Sequence, residues 1–256
     1  MKNAAPLLLP DRLRAKTLNR FHIVDMSNPG NVAEHSFGVQ VIAEHLLVNI
    51  YQQKGTPFID PIPPAEIGGS RPSLEERYFL MKYAQVHDLP ELLSSDIATT
   101  TKEYIRENQV PVSVLMTLIK TQLGGTLQEE AYTTISAVLT ENMSDFDSIM
   151  DKIETECLPE LHALEGYFTH NPHLKFVAKA ADILEALSVF KTGRGLDHVQ
   201  NERVEKKINE SLTLLIGKAE ATLPSFNWHC IEQAREVILF GDSAINEFEE
   251  TFRKRE

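Results

Sequence analysis

Four ionisable residues stand inside otherwise apolar helical patterns: His35, His87, Asp88 and Asp182. His87 and Asp88 are adjacent, in the stretch YAQVHDLPELLSSD at residues 83–96, which also carries Glu91 and Asp96. Groups of this kind are seldom buried unless they are paired or bound to a metal. Two imidazoles and two carboxylates make a mixed nitrogen and oxygen donor set, which suits Mn²⁺, Co²⁺, Fe²⁺, Ni²⁺ or Zn²⁺. Such a set leaves positions for water and a substrate oxygen, as metal-assisted hydrolysis requires. Neighbouring residues on a helix face different ways. His87 and Asp88 can serve one ion only where a helix end or kink turns both inward, and Pro90 is close enough to supply one.

The elements that must position these residues all read as helices. Asn31 is a good N-cap for a helix beginning near Val32. Its apolar positions, Val39, Ile42, Ala43, Leu46, Leu47 and Ile50, recur at three and four and continue from His35. Ser73, with Glu76 in the capping-box position, opens a second helix that runs into the His87-Asp88 pair. Pro90 is expected to end or kink it. Further helical patterns occur at residues 112–123, 127–139, 146–156 and 158–168. Residues 176–190 form a strongly apolar helix with Lys179, Asp182 and Glu185 inside it. Two more follow, around Val204–Ile216 and Ile231–Phe248, and residues 11–20 allow a short one near the N-terminus. No stretch alternates with period two. The expected fold is all-α, a helical bundle of about eight to ten helices.

At 256 residues the chain suits one large domain, residues 1–256. Within it, 54–72 reads as a loop insertion rich in Pro and Gly, and 103–173 as an extended region. The formal net charge of −12 argues against a surface for polymeric nucleic acid, which is built from clustered Lys and Arg. A small anionic ligand needs only a local positive site or a metal. Cys157 and Cys230 are the only cysteines, which gives no disulfide framework and points to a reducing compartment. No apolar run approaches a membrane span, and Leu7–Leu9 is too short for a signal-peptide core. The expected location is cytoplasmic.

The order His35…His87-Asp88…Asp182 resembles the H…HD…D signature of the HD-domain metal-dependent phosphohydrolases. The local sequences Leu18-Asn19-Arg20, Asn31-Val32-Ala33-Glu34-His35-Ser36, His87-Asp88 with Glu91 and Asp96, and Lys179-Ala180-Ala181-Asp182 are similar to the bacterial 5′-deoxynucleotidase branch. The likeness runs in separate blocks from about Leu18 to about Phe190. It implies removal of the 5′-phosphate from (deoxy)ribonucleoside monophosphates with a divalent metal ion, Mn, Co or another transition metal. His35, His87, Asp88 and Asp182 would bind the metal. Glu91 would act as general acid or base, and its spacing independently allows this, being i+4 from His87 and i+3 from Asp88. Asp96 would orient water or contact the sugar, and Arg20 would hold the phosphate through its planar guanidinium. Lys102 is a second phosphate candidate. The branch carries Trp directly after the Arg, packed against the sugar, whereas this chain has Phe21, a smaller aromatic wall. A homodimer is implied by related enzymes.

Plainer roles compete for several of these residues. Lys179, at i−3, could pair with Asp182, although the apolar surroundings favour a ligand. Glu91 could decorate a helix end and Arg20 a surface. His22 and His45 suit core or surface positions. His162, His170 and His173 could hold a second metal but flank a Pro-containing break. Two other functions stand beside the leading one. An enzyme of the same superfamily would act on a dNTP and release triphosphate. A non-catalytic helical module would use the pocket to sense a nucleotide, although the ligands and Glu91 are all kept.

Overall fold

The computed structural model describes residues 12–17, 30–59, 72–90, 114, 148, 151, 155, 158–192 and 198–241. These contain a 3₁₀ turn, Leu13–Thr17, and six α-helices. The helices are α1 (Val32–Asn49), α2 (Leu74–Val86), α3 (Pro159–His170), α4 (Pro172–Thr192), α5 (His198–Thr222) and α6 (His229–Phe240). The architecture is all-α, as the periodicities require. The 3₁₀ turn occupies part of the segment expected to form a short first helix. Apart from residues 114, 148, 151 and 155, the patterns at 112–123, 127–139 and 146–156 lie outside the described residues, as does most of the loop insertion. No described helix is long and apolar enough to cross a membrane.

Local chemistry sets the helix ends. Asn31 Oδ1 accepts hydrogen bonds from the backbone N–H groups of Ala33 and Glu34, and Glu34 reaches back to accept from Asn31 N. Two donors that the first turn leaves unpaired are satisfied in this way. Ser73 and Glu76 make the same reciprocal box at the start of α2. The other end of α2 is set by Pro90. A proline clashes with the carbonyl four residues before it and brings no N–H of its own. Residue i−4 is Val86, the last residue of α2, and Leu89 N donates to Val86 O in the turn that follows, at 3.0 Å.

The chain divides into two compact units. One comprises Met1–Asp25, Pro29–Glu34 and Val86–Gly166. Within it Leu158, just before α3, and Leu161 and Leu164 on α3 are buried, and Arg12 pairs with Glu160. The other comprises Met26–Asn28, His35–Gln85 and Tyr167–Glu256. Its core joins Val39, Ala43 and Leu46 of α1, Leu80 and Ala84 of α2, and Val177, Ala181 and Leu184 of α4. α4 also packs against α5 and α6. The break before α6 carries Trp228, fully buried, with its indole N–H donated to Leu223 O. Burial pushes the Cys230 thiol pKa far up, so this cysteine is a packed apolar group rather than a nucleophile.

A second polar contact lies in this unit. Tyr51 donates to Glu76 Oε1 at 2.5 Å, and His173 Nε2 lies 2.8 Å from the same oxygen. Phe226 stacks on the His173 ring. Glu76 therefore caps α2 with one oxygen and ties the end of α1 to the start of α4 with the other. Burial would raise the Glu76 pKa, but the hydrogen bonds from Tyr51, Ser73 and His173 outweigh it and hold it below its ordinary value. Burial lowers the His173 pKa, against the opposing pull of Glu76.

Both shifts act in one direction on stability. His173 takes up a proton less readily when folded, and Glu76 releases one more readily. The unfolded chain thus binds the extra protons, and acid favours it. This stabilisation is complete above the ordinary imidazole value of about 6.5. It is lost as pH falls, first through His173 and then, in the carboxylate range, through Glu76. The thermal midpoint of the full chain is expected to fall between about pH 7.5 and about pH 5.5, and His173→Gln to flatten that slope. A wild-type midpoint that stays level across this range would exclude the linkage.

Candidate metal centre

His35 lies one turn inside α1, on the stripe that continues through Val39, Ala43 and Leu46 into the core. Only 1% of it is exposed. Each ring nitrogen meets a carboxylate from α4. Nδ1 is 2.5 Å from Glu185 Oε2, and Nε2 is 3.4 Å from Asp182 Oδ1. Asp182 and Glu185 are one turn apart on α4, which is why one imidazole can meet both.

Asp182 divides its oxygens. Oδ2 is 2.6 Å from Lys179 Nζ, while Oδ1 faces His35. The ion pair that the apolar surroundings argued against does form. Lys179 escapes those surroundings because its long stem carries the ammonium to the surface, and its side chain is 59% exposed. The pair engages one oxygen and leaves the His35 contact to the other.

His87 and Asp88 sit in the turn that Pro90 imposes after α2. His87 Nε2 is 3.3 Å from Asp88 Oδ1, and both side chains are largely buried. The turn does what a continuing helix could not, since it brings adjacent side chains together. His35, His87 and Asp182 are each of a residue type that can offer one ligand atom to a metal ion. Two imidazole nitrogens and carboxylate oxygens fit Zn²⁺ or another transition metal and do not fit Ca²⁺ or Mg²⁺, which take oxygen ligands. His162 and His170 are exposed on α3, and His173 is engaged by Glu76. Among the described residues no metal-ligand group includes any of these three. Arg20, Phe21, Glu91, Asp96 and Lys102 lie outside the described residues.

Glu185 is the site residue that the sequence pattern did not single out. A signal was present: a carboxylate one turn beyond Asp182 in an apolar run. Its partner, however, is 150 positions away in the chain, and only the packing of α1 on α4 reveals it.

The two roles open to Asp182 give different results on mutation. Lys179→Ala is expected to change stability by no more than about 0.5 kcal/mol, because the pair is exposed at the lysine end. It should leave Zn²⁺ affinity unchanged. Asp182→Ala should abolish Zn²⁺ binding in a chelator competition. Equal loss of metal in both variants would make the Lys179 pair, not the ligand role, the reason for Asp182.

No family model matches the chain, and no curated protein matches it. Among solved structures it is similar to the cyanophage S-2L HD phosphohydrolase DatZ bound to dA and one catalytic Zn²⁺ ion. The TM-score is 0.50 and the identity 20%, over 97% of this chain and 98% of that one. A likeness at this identity concerns the path of the backbone, and on that ground the chain has the all-α fold of an HD phosphohydrolase.

Proposed function

We propose that this protein is a metal-dependent nucleotide phosphohydrolase that removes the 5′-phosphate from (deoxy)ribonucleoside monophosphates. The observation that carries most weight is the His35 imidazole held between Asp182 and Glu185, with the His87-Asp88 pair turned together at the end of α2. The HD-phosphohydrolase fold and the H…HD…D order support the same conclusion. The solved relative holds dA and a catalytic Zn²⁺ ion, which supports a nucleotide ligand and a transition metal here.

In this proposal His35, His87, Asp88 and Asp182 hold one divalent cation. That cation, when bound, polarises a phosphoryl oxygen and lowers the pKa of the attacking water. The remaining work falls to side chains. Glu91 takes the proton from the water as its oxygen attacks phosphorus, then returns it to the departing 5′-oxygen. The P–O bond to the sugar breaks, leaving inorganic phosphate and a nucleoside. Arg20 pairs with the phosphoryl oxygens as charge builds on them, with Lys102 as a second cation. Phe21 forms a wall against the sugar, and Asp96 orients the water or bonds a sugar hydroxyl. Cys230 takes no part as a nucleophile, since it is buried and burial pushes its thiol pKa far up.

The test is a screen of dNMPs, NMPs and dNTPs with the full chain loaded with Mn²⁺, Co²⁺ or Zn²⁺, followed by product identification. Phosphate from a monophosphate is the expected result. Tripolyphosphate from a dNTP would transfer the site to triphosphohydrolase chemistry. Nucleotide binding without release would make it a sensor. His87→Ala and Asp88→Ala should lose metal and turnover together. Glu91→Ala should keep metal and substrate while turnover drops by about 10²–10⁴-fold.

A further inference from the structure

We infer that Glu185 is a positioning residue for the metal centre: it fixes which nitrogen of His35 is offered as a ligand, and Gly38 keeps open the space it needs. This role rests on the metal centre proposed above.

The contact is short and buried. Glu185 is 7% exposed and His35 1%, with Oε2 and Nδ1 2.5 Å apart. An ionised carboxylate can only accept a hydrogen bond. A neutral imidazole has one N–H. If that hydrogen is on Nδ1 it is donated to Glu185, and the lone pair is on Nε2, the nitrogen facing Asp182 Oδ1. The other tautomer would press a nitrogen lone pair against a carboxylate oxygen in a site with little water. Glu185 thereby selects the form whose free nitrogen lies on the Asp182 side. A carboxylate behind a ligating imidazole also raises its basicity, and losing such a partner commonly costs about 10–100-fold in metal affinity.

Gly38 explains how Glu185 reaches His35. It lies three residues along α1 from His35, on the side that meets α4. A Cβ at this position would lie 2.8 Å from Glu185 Cγ and 3.4 Å from Oε1. Carbon atoms in contact sit about 3.5–4.0 Å apart. Cγ is near the root of the side chain, so it cannot withdraw without taking the carboxylate off the imidazole. In a helix interior glycine is a cost, destabilising by about 0.5–1 kcal/mol relative to alanine. Here it leaves room for a buried side chain.

A merely structural Glu185 would stabilise the fold and leave metal binding alone. The two roles separate in a set of Zn²⁺ affinities measured by chelator competition on the metal-stripped full chain, with circular dichroism confirming the fold. Glu185→Ala is expected to weaken Zn²⁺ about 10–100-fold. Glu185→Gln, which keeps the shape and one accepting oxygen, should recover part of that loss. Gly38→Ala should weaken Zn²⁺ by displacing the carboxylate. In the Glu185→Ala background the same change should have no further effect, because Cγ is gone. If Glu185→Ala fails to fold, ¹⁵N-histidine spectra of the Zn²⁺-loaded wild type decide. A proton on His35 Nδ1 and metal on Nε2 is the expected state, and the reverse would overturn the role. Wild-type affinity in Glu185→Gln and Gly38→Ala would also overturn it, while His35→Ala and Asp182→Ala still lost metal. Retention of Zn²⁺ by those last two variants would instead remove the metal centre itself.

Discussion

The packing of α1 on α4 carries a buried polar contact that the rest of the site depends on. Burying a polar group is costly unless partners replace its water. His35 meets that demand with a carboxylate at each ring nitrogen, both from α4. The arrangement works only at one rotation of each helix. A shift of one residue on either would carry the imidazole off the carboxylates by about 100° of helical turn. Gly38 adds a steric condition, since a side chain there would meet Glu185 before Glu185 met His35. The apolar core sets how closely the helices approach, and the polar contact sets their register.

Around that contact the fold is held by groups with more than one task. Glu76 completes the capping box of α2 with one oxygen and receives Tyr51 and His173 with the other. Asp182 gives one oxygen to Lys179 at the surface and turns the other to His35. Pro90 closes α2 at Val86 and so converts two adjacent residues into a pair with converging polar atoms. Each dual role links a helix terminus or register to a titratable group. Burial lowers the His173 pKa, so the contact it makes with Glu76 responds to pH.

Fold and function rest on different grounds here. The likeness to a solved HD phosphohydrolase, at 20% identity, is one of fold. One fold can host many chemistries, so activity has to be argued from the site. The donor set is specific in kind: imidazole and carboxylate suit a transition metal that can assist hydrolysis.

The helices were legible in the sequence because their determinants are local. Asn31, the Ser73/Glu76 box and the clash of Pro90 with Val86 act within four residues, and the apolar stripe of α1 repeats with the helix itself. His35 and Asp182 were also legible, since an ionisable group inside an apolar pattern is conspicuous wherever it is packed. The 3₁₀ turn at Leu13–Thr17 was less so, because a polar segment with no apolar stripe gives little period to read. Tertiary structure alone decided three things. It gave His35 its second carboxylate, Glu185, across 150 positions of chain. It let Lys179 pair with Asp182 while leaving the other oxygen for the imidazole. It turned Gly38 from an ordinary helix glycine into the gap that Glu185 occupies. Periodicity reports which face of a helix is buried. It does not report which residue of another helix is brought against that face, because that depends on how the two surfaces interlock.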